Sequence, residues 1–442
     1  MYHIFLVFSY FLRLLCVHIT LNKPSSKIQF AAHSLFRPTF RTPQSERYSL
    51  LLVLVKYLNF VKILFFVKND KKNAFVSHNA NGTYVYDILE SSYAQREKYV
   101  NYFSKENVSG GIYKNELYFS SSMPSALVIF ILATLCVPFI FIVSLFKKDK
   151  APYAMILKEI LENINFLNLV DELKISKIFF FSIYEKDSNI CTLLLNKKGV
   201  HVSKIPSEVP LGLWNKNILA DTLCICNGYQ YEELKEFKDS IFIKDTEFWG
   251  PERLLDNIDK YSHPVETKKK RIGFYSTGTW IRKLENHIEQ GLDMQQMEAD
   301  VKIAVRNFCL TNTEYSLFIF LHPRERWPKY IDRTIEKYNT DFKGINFQLV
   351  DSDVKSSNSF ELIDIGVAFQ STIAYERLYY GFKTILMPIG YVGFPISTSG
   401  MRNICAFSEE EFFEKIKVAD SMTNTQFFEK NNIRHFAKFL YN

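Results

Sequence analysis

The sequence predicts an α/β protein in which two domains of alternating strands and helices follow a hydrophobic, membrane-associated N-terminal region. The first observation is an uncharged stretch at 123–146. The second is the order of the chain after residue 151, where continuous apolar runs, which are typical of strands buried on both faces, alternate with helical patterns. The third is a break at 251–270, which contains His263-Pro264 and ends in three lysines, before the alternation restarts at Arg271. We therefore expect a linker at 251–270 between the two domains.

The stretch 123–146, MPSALVIFILATLCVPFIFIVSLF, is long enough to cross a membrane. A helix rises about 1.5 Å per residue, and the hydrocarbon core of a bilayer is about 30 Å thick. Lys147, Lys148 and Lys150 follow directly. By the positive-inside tendency they place the end of this helix, and the domains after it, in the cytoplasm. A helix that is buried in a domain or lies in the membrane plane is the alternative interpretation.

Residues 1–122 form a basic and apolar N-terminal region, which is either membrane-associated or part of the first α/β domain. Residues 1–150 hold 18 Lys and Arg against 8 Asp and Glu, so the excess behind the net charge of +7 lies beside the apolar segments. The 50–67 stretch carries Lys56 and Lys62 and is typical of a cationic helix at a membrane interface. This pattern indicates a membrane partner with anionic head groups and no nucleic-acid partner.

The seven cysteines are an odd number without paired CxxC spacing. A disulfide scaffold and a zinc site are therefore not expected.

The first α/β domain is predicted over 151–250. A helix at about 153–173 precedes the apolar strand KIFFFSI at 177–183, and the helix NICTLLLNKKG ends at Gly199. Asp187 and Ser188, in the loop between them, are candidate N-caps for that helix. Three further strands are expected in VHVSKIP, ADTLCICN and SIFIKD. These elements predict βαβ units and hence a parallel sheet.

The second domain, 271–442, has a clearer alternation of strands and helices. The predicted strands are RIGFYST, SLFIFLHP, INFQLVD, DIGVAFQ and KTILMP, and the predicted helices are MQQMEADVKIAVRNFCL, PKYIDRTIEKYN and TIAYERLYYG. In the first helix Met294, Met297, Val301, Val305 and Phe308 recur on one face, which supports a helix packed on a sheet.

Three loops at strand ends carry the candidate binding residues of this domain, because ligands bind outside the carboxyl ends of parallel strands. They are YSTGTWIR with Ser276, Thr277, Gly278 and Arg282, HPRER with His322 and Arg324, and QSTIAYER with Ser371 and Thr372. Hydroxyls, backbone N–H groups, a helix N-terminus and guanidinium groups together suit a nucleotide phosphate. Ordinary helix caps and a structural histidine are the alternatives.

The pair His322-Pro323, followed about fifty residues later by Ser371-Thr372, resembles the HP and Ser/Thr motifs of bacterial sialyltransferases and polysialyltransferases. These enzymes use CMP-sugars and have the GT-B fold of two facing Rossmann-like domains. Capsule and teichoic-acid polymer transferases have similar arrangements, and the resemblance covers roughly residues 271–390.

The resemblance implies a role for each matching residue. His322 would contact the donor phosphate or nucleotide, Ser371 and Thr372 would bind the phosphate, and Glu376 would face the ribose. A surface charge pair with Arg377 or a neighbouring residue is the alternative for Glu376. The general base of such enzymes is a carboxylate of the first domain, commonly in an acidic pair before Gly, which this chain lacks in clear form. Asp187 or Glu185 would replace it, although Asp187 also suits a plain N-cap.

The expected function is that of a membrane-associated glycosyltransferase, which moves a sugar from a nucleotide-sugar donor to a surface polysaccharide or a lipid-linked glycan. The mechanism would be direct displacement at the anomeric carbon. Asp351-Ser352-Asp353 is more typical of a helix cap than of a metal site, so no metal and no cofactor are expected. A sugar-nucleotide epimerase and a non-catalytic envelope-assembly protein that binds a nucleotide are the alternatives.

Overall fold

The structure is a computed structural model of the chain, and it falls into two compact units. The described residues are 2–20, 51–66, 123–146, 151–172, 177–180, 186–204, 206, 209, 218–248, 260–261, 269–284, 294–350, 356–369, 371–390 and 399–437. The N-terminal unit comprises Met1–Ser207, Leu213–Ile225 and Phe237–Trp249. The C-terminal unit comprises Glu208–Gly212, Cys226–Glu236 and Gly250–Asn442.

Helices and parallel strands alternate after the first three helices. The helices are α1 Tyr2–Thr20, α2 Leu51–Phe66, α3 Met123–Leu145, α4 Ala151–Glu172, α5 Lys186–Lys197, α6 Gly228–Glu236, α7 Thr279–Leu284, α8 Met294–Thr311, α9 Ile331–Asp341, α10 Thr372–Tyr379, α11 Ser399–Asn403, α12 Glu409–Asp420 and α13 Asn424–Lys430. The strands are β1 Lys177–Phe180, β2 His201–Lys204, β3 Ile218–Leu219, β4 Thr222–Ile225, β5 Ile241–Phe242, β6 Asp245–Phe248, β7 Arg271–Tyr275, β8 Ser316–Phe320, β9 Phe347–Leu349, β10 Ile365–Ala368 and β11 Thr384–Leu386. The prediction of an α/β protein with parallel sheets is confirmed.

In the N-terminal unit, α4 packs against α1, α2 and α3. Its buried apolar side chains recur at helical spacing, as the 3.6-residue period requires of a helix with one face in a core. They are Tyr153, Ile156, Leu157, Ile160, Ile164, Leu167 and Val170. The apolar N-terminal region therefore forms a helical layer within this unit.

The α3 helix is apolar on every side, although one side alone is buried. Ile129 and Ala133 are fully buried, whereas Leu135 is 70% and Ile142 is 53% exposed. Among the described residues, α3, over Pro124–Leu145, is long and apolar enough to cross a membrane. The core helix of a soluble protein would pass the same test of length and composition.

The main sheet of the N-terminal unit has the order β1-β2-β4-β6, and every pairing in it is parallel. The α5 helix connects β1 to β2 and buries Ile190, Leu194 and Leu195. The strand predicted at 177–183 is β1 at Lys177–Phe180, and 181–185 lie outside the described residues. Strands β3 and β5 form a separate parallel pair.

The α6 helix follows β4 in the chain but belongs to the C-terminal unit. Asn227 Nδ2 donates to the Phe436 carbonyl at 3.1 Å, and His435 Nε2 lies 2.6 Å from Glu232 Oε1. A Cβ atom on Gly228 would come within 2.6 Å of the His435 ring. A close fit between α6 and the C-terminal segment thus holds this helix in the C-terminal unit.

The sheet of the C-terminal unit has the order β11-β10-β7-β8-β9, and it is parallel throughout. From β7 the chain proceeds outward through β8 and β9, and it then returns to the other side of β7 for β10 and β11. This is the 3-2-1-4-5 order of doubly wound sheets, which place their ligands at the point of reversal. That point lies between β7 and β10.

Arg377 of α10 fixes this helix to the sheet. Its guanidinium is fully buried and donates to the carbonyls of Phe360 at 2.6 Å, Ile363 at 3.0 Å, Asp364 at 3.3 Å and Lys383 at 3.2 Å. Backbone carbonyls therefore compensate for burying this cation.

Gly366 of β10 leaves the space that Arg377 needs. A Cβ atom at Gly366 would lie 2.7 Å from Arg377 Cδ. The strand and the helix therefore fit together because this position has no side chain.

Candidate active site

The tips of three neighbouring strands meet at one edge of the C-terminal sheet. Ala368 of β10, Tyr275 of β7 and Phe320 of β8 are level with one another in the register. The Ser276 amide donates to the Phe320 carbonyl at 3.0 Å, which continues the pairing of β7 and β8 beyond the strands. The loops that begin at Ser276, His322 and Ser371 therefore all leave the sheet at this edge, on both sides of the point of reversal.

The first tip, Ser276–Thr279, is bonded to a buried carboxylate of α8. Glu298 Oε1 accepts from Ser276 Oγ at 3.2 Å, from the Thr277 amide at 2.6 Å and from Thr277 Oγ1 at 2.8 Å. Glu298 Oε2 accepts from the Thr279 amide at 3.1 Å and from Thr279 Oγ1. The Gly278 amide donates to Ser276 Oγ at 3.1 Å.

These bonds change the interpretation of the first tip. The sequence assigned the hydroxyls of Ser276 and Thr277, and the backbone N–H groups of the loop, to a ligand. In the structure both hydroxyls and the Thr277 amide donate to an internal carboxylate, because Glu298 projects from α8 into the loop, and the Gly278 amide donates to Ser276 Oγ. The hydroxyls of Ser276 and Thr277 are therefore engaged within the protein.

Gly278 allows the first tip to touch His322. Its φ of +63° is in the left-handed region that favours glycine. A Cβ atom at this position would lie 2.9 Å from His322 Cγ and Nδ1. The backbone of the loop thus packs directly on the imidazole.

His322 caps the 3-10 turn Pro323–Arg326 that follows β8. The Arg324 amide donates to His322 Nδ1 at 3.2 Å, and Glu325 Oε2 accepts from the His322 amide at 2.9 Å. An amide cannot accept, so Nδ1 carries the lone pair and a neutral ring has its proton on Nε2. The imidazole at this tip is therefore an N–H donor with a fixed orientation.

Burial and the nearby guanidinium groups keep His322 neutral. Burial is the largest cause that lowers the pKa of His322 to about 4; the charges of Arg282, Arg324 and Arg326 act in the same direction, and the charge of Glu298 opposes them. A ring of this pKa is unprotonated at pH 7. The positive charge at this edge therefore comes from the three arginines, and the imidazole contributes a hydrogen-bond donor.

The third tip is the N-terminus of α10. Ser371 is the N-cap with extended backbone, and its side chain makes no capping hydrogen bond to the helix. The carbonyl of Ser371 accepts from the Ala374 amide at 3.0 Å. Thr372 is the first residue of the helix, and Gln370 lies outside the described residues. The first-turn N–H groups of a helix attract anions.

Glu376 lies one turn into α10 and is 6% exposed. The alternative of a surface pair with Arg377 does not apply, because both side chains are buried and Arg377 bonds backbone carbonyls. Burial of this carboxylate is consistent with the ribose role that the resemblance implies.

Asp187 belongs to α5 of the N-terminal unit, which begins at Lys186. Asp187 and Ser188 therefore lie inside the first turn of the helix and not at its N-cap. Their side chains, and all of Glu185, lie outside the described residues.

Two buried carboxylates beneath the site were missed in the sequence. Glu298 is 1% exposed, and Glu325 is fully buried. Glu325 Oε1 accepts from Trp280 Nε1 at 2.7 Å and from the Tyr338 hydroxyl at 3.3 Å. Burial and the charge of Glu298 raise the pKa of Glu325.

Each buried carboxylate left a signal in the sequence. Glu298 shares the apolar face of α8 with Met294, Val301 and Val305, where a charge is out of place. His322 and Glu325 have the spacing of a capping box, and the structure contains both of its bonds.

Among the described residues, no group of three or more His, Cys, Asp or Glu side chains is placed to hold a metal ion.

No protein-family model and no curated protein matches the chain. Several solved structures show a distant likeness. MnaA of S. aureus with UDP is 10% identical over 71% of this chain and 81% of its own, with a TM-score of 0.38. MurG of Acinetobacter baumannii is 11% identical over 65% and 75%, with a TM-score of 0.37. UDP-GlcNAc 2-epimerase of Neisseria meningitidis, bound to UDP-GlcNAc, is 9% identical over 65% and 78%, with a TM-score of 0.38. All three scores are below 0.5.

Proposed function

We propose that this chain is a membrane-associated glycosyltransferase of the GT-B type, which moves a sugar from a nucleotide-sugar donor to a surface polysaccharide or a lipid-linked glycan. One observation carries the proposal: three adjacent strand tips meet at the point of reversal of a 3-2-1-4-5 sheet. They bring together a neutral histidine, arginines and a helix N-terminus. This combination suits the phosphate of a nucleotide.

The donor phosphate is the group that these residues would hold. The Nε2–H group of His322 would donate to a phosphate oxygen, and Arg282 and Arg324 would supply positive charge. The same phosphate would be bound at the N-terminus of α10 by the Ser371 hydroxyl, Thr372 and the first-turn N–H groups. Glu376 would accept a hydrogen bond from a ribose hydroxyl. Donors aimed at the leaving phosphate stabilise the charge that develops as the bond to the sugar breaks.

The reaction would be a single displacement at the anomeric carbon. The Asp187 carboxylate would take the proton of the acceptor hydroxyl, and the acceptor oxygen would form the new glycosidic bond. The bond from the anomeric carbon to the phosphate oxygen would break, and its electrons would leave with the phosphate. Charge neutralisation by arginines would let the reaction proceed without a metal or another cofactor.

The membrane would be contacted through the helices of the N-terminal unit. On α1, α2 and α3, large apolar side chains are exposed among the described residues, which is the pattern of a surface that faces lipid. Examples are Phe5, Leu58, Leu127, Ile131, Leu135 and Ile142. The lysines after α3 would hold its C-terminal end, and the catalytic part of the chain, in the cytoplasm.

A CMP-sugar is the donor that the His322-Pro323 and Ser371-Thr372 pairs favour, since they resemble the motifs of CMP-sugar transferases. The acceptor would be a growing surface polysaccharide or a lipid-linked glycan, which a membrane-associated enzyme meets at the cytoplasmic face.

Calorimetry on the full chain in detergent, with CMP, UDP, GDP and CDP and their sugar conjugates, tests this proposal. We expect one nucleotide class to bind and its sugar conjugate to be hydrolysed or transferred, and Asp187→Asn to lower transfer without lowering nucleotide affinity. Binding without turnover would favour the non-catalytic protein of envelope assembly, and conversion to an epimeric nucleotide-sugar would favour an epimerase. The absence of binding by all four classes would refute the proposed site.

A further inference from the structure

Glu298 accepts five hydrogen bonds from the first tip. It accepts from two backbone amides and three hydroxyls of Ser276, Thr277 and Thr279, and it is 1% exposed. A buried carboxylate with so many donors orders the segment that supplies them. The conformation of the loop therefore depends on hydrogen bonds to Glu298 of α8 as well as on the residues of the loop itself.

The carboxylate is ionised in this setting. Burial alone would raise the pKa of Glu298, but Lys302 and the hydrogen bonds from Thr279 and Thr277 outweigh it and hold the pKa below its usual range. Lys302 Nζ lies 3.0 Å from Asp341 Oδ2, so the cation near Glu298 is itself paired. Glu298 therefore supplies charged acceptors, which form stronger hydrogen bonds than neutral ones.

The position of the loop decides what touches His322. The bonds to Glu298 are on both sides of Gly278, at Thr277 and Thr279. Gly278 packs against the imidazole, and its carbonyl accepts from the Arg282 amide at 3.2 Å. Moving the flanking threonines would thus move both the wall behind His322 and the start of α7, which carries Arg282.

We infer that Glu298 is a positioning residue of the donor site, which uses up the donors of the first tip and thereby fixes Gly278 against His322 and Arg282 beside it. The inference rests on the function proposed above and extends it to a residue that does not touch the donor. In this view the Ser and Thr residues of the loop orient the site by bonding Glu298, and they do not contact the donor themselves.

A graded series of variants tests this role, with UDP and CMP as the nucleotide probes. Glu298→Gln keeps the shape of the side chain but loses the charge and places an amide against donors. We expect a loss of nucleotide affinity of roughly tenfold or more, the equivalent of one charge-assisted hydrogen bond. Thr279→Val removes one of the five donors to Glu298 and leaves the other four, so it should lose less affinity, roughly threefold. Thr279→Ser keeps the hydroxyl that Thr279→Val removes, so this variant should bind nucleotide within about twofold of the wild type.

Lys383→Met is the matched control for stability. Lys383 precedes β11 at the opposite edge of the sheet, and its buried ammonium donates to the carbonyls of Ala419 at 2.9 Å and Met422 at 2.7 Å. Its loss should lower the unfolding temperature and leave nucleotide affinity unchanged. If affinity follows the unfolding temperature across all four variants, Glu298 is structural and the inference is overturned.

The outcomes separate this inference from the proposed function. Wild-type protein that binds neither probe, and neither GDP nor CDP, refutes both. Wild-type protein that binds, together with a Glu298→Gln variant of equal affinity, refutes the positioning role alone. The positioning role is supported if nucleotide affinity falls most in Glu298→Gln, less in Thr279→Val and hardly at all in Thr279→Ser.

Discussion

Two strand tips of the C-terminal sheet have the same kind of sequence and opposite roles in the structure. Ser276–Thr279 follows β7, Ser371-Thr372 follows β10, and these strands are neighbours. In the first tip, hydroxyls and amides bond Glu298. In the second, Ser371 occupies the N-cap position of α10, but its side chain makes no capping hydrogen bond. The comparison teaches that hydroxyls at a strand tip indicate a ligand site only where no internal carboxylate reaches them.

Replacing His322 should give the largest effect. The first tip would influence the donor by positioning this ring, and the second tip would bind the same phosphate as the ring. His322→Ala should lower donor turnover by roughly 10²- to 10³-fold, as the loss of one donor to a developing charge usually does. His322→Gln can present an N–H group near the position of Nε2 and should retain part of the activity. Donor hydrolysis measures both, and unchanged turnover in a folded His322→Ala protein would remove this residue from the site.

Gly278→Ala sharpens the role of the first tip. A methyl group would strain a φ of +63° and lie 2.9 Å from the His322 ring, so the ring must move. We expect turnover to fall by roughly thirtyfold, which corresponds to about 2 kcal/mol.

Gly344→Ala is the control for Gly278→Ala. Its φ is +92°, and a Cβ atom there would meet nothing closer than Leu310 at 3.7 Å. Both variants strain the backbone, but only the new methyl group of Gly278→Ala would contact His322. Equal losses of activity would mean that the contact with His322 has no role.

Ser371→Ala addresses the second tip. Because this hydroxyl does not cap α10, its loss should leave stability within about 0.5 kcal/mol. Nucleotide affinity should fall by roughly tenfold if the hydroxyl bonds a phosphate.

Thr423→Ala is the control for Ser371→Ala, because it should lower stability and leave nucleotide affinity unchanged. Thr423 Oγ1 accepts from the Gln426 amide at 3.1 Å and completes a capping box at α13. Its loss should cost about 1 kcal/mol of stability without changing nucleotide affinity. Calorimetry and denaturant unfolding distinguish the two profiles, and a Ser371→Ala protein with lower stability and normal affinity would make the second tip structural as well.

The pH dependence of His322 gives the smallest effect. With a folded pKa lowered from 6.5 to about 4, the ring stays neutral in the native protein while the unfolded chain binds a proton between these values. The contribution of this group to stability therefore falls as pH is lowered through the window from 6.5 to 4. His322→Gln should flatten that part of the stability profile, and an NMR titration of the wild-type ring should show no protonation between pH 8 and 5.

The strands and the edge on which their tips lie could be predicted because long apolar runs predict buried parallel strands, whose carboxyl ends meet at one edge. The return of β10 to the side of β7 could not, since strand order depends on long-range packing. The partner of the first tip was equally out of reach, because Glu298 lies about twenty residues beyond its loop on another helix. Its place on an apolar face marked it as unusual, but the face does not reveal which donors it meets.

The fit between Gly366 and Arg377 has a consequence for how this chain could diverge. Neither position could mutate first without harm: any larger residue at Gly366 would collide with the arginine, and a shorter residue at Arg377 would take a buried donor away from four carbonyls. The two positions should therefore change together or not at all across descendants of this sequence. An engineer who redesigns donor preference should leave this pair untouched and vary the exposed loops instead.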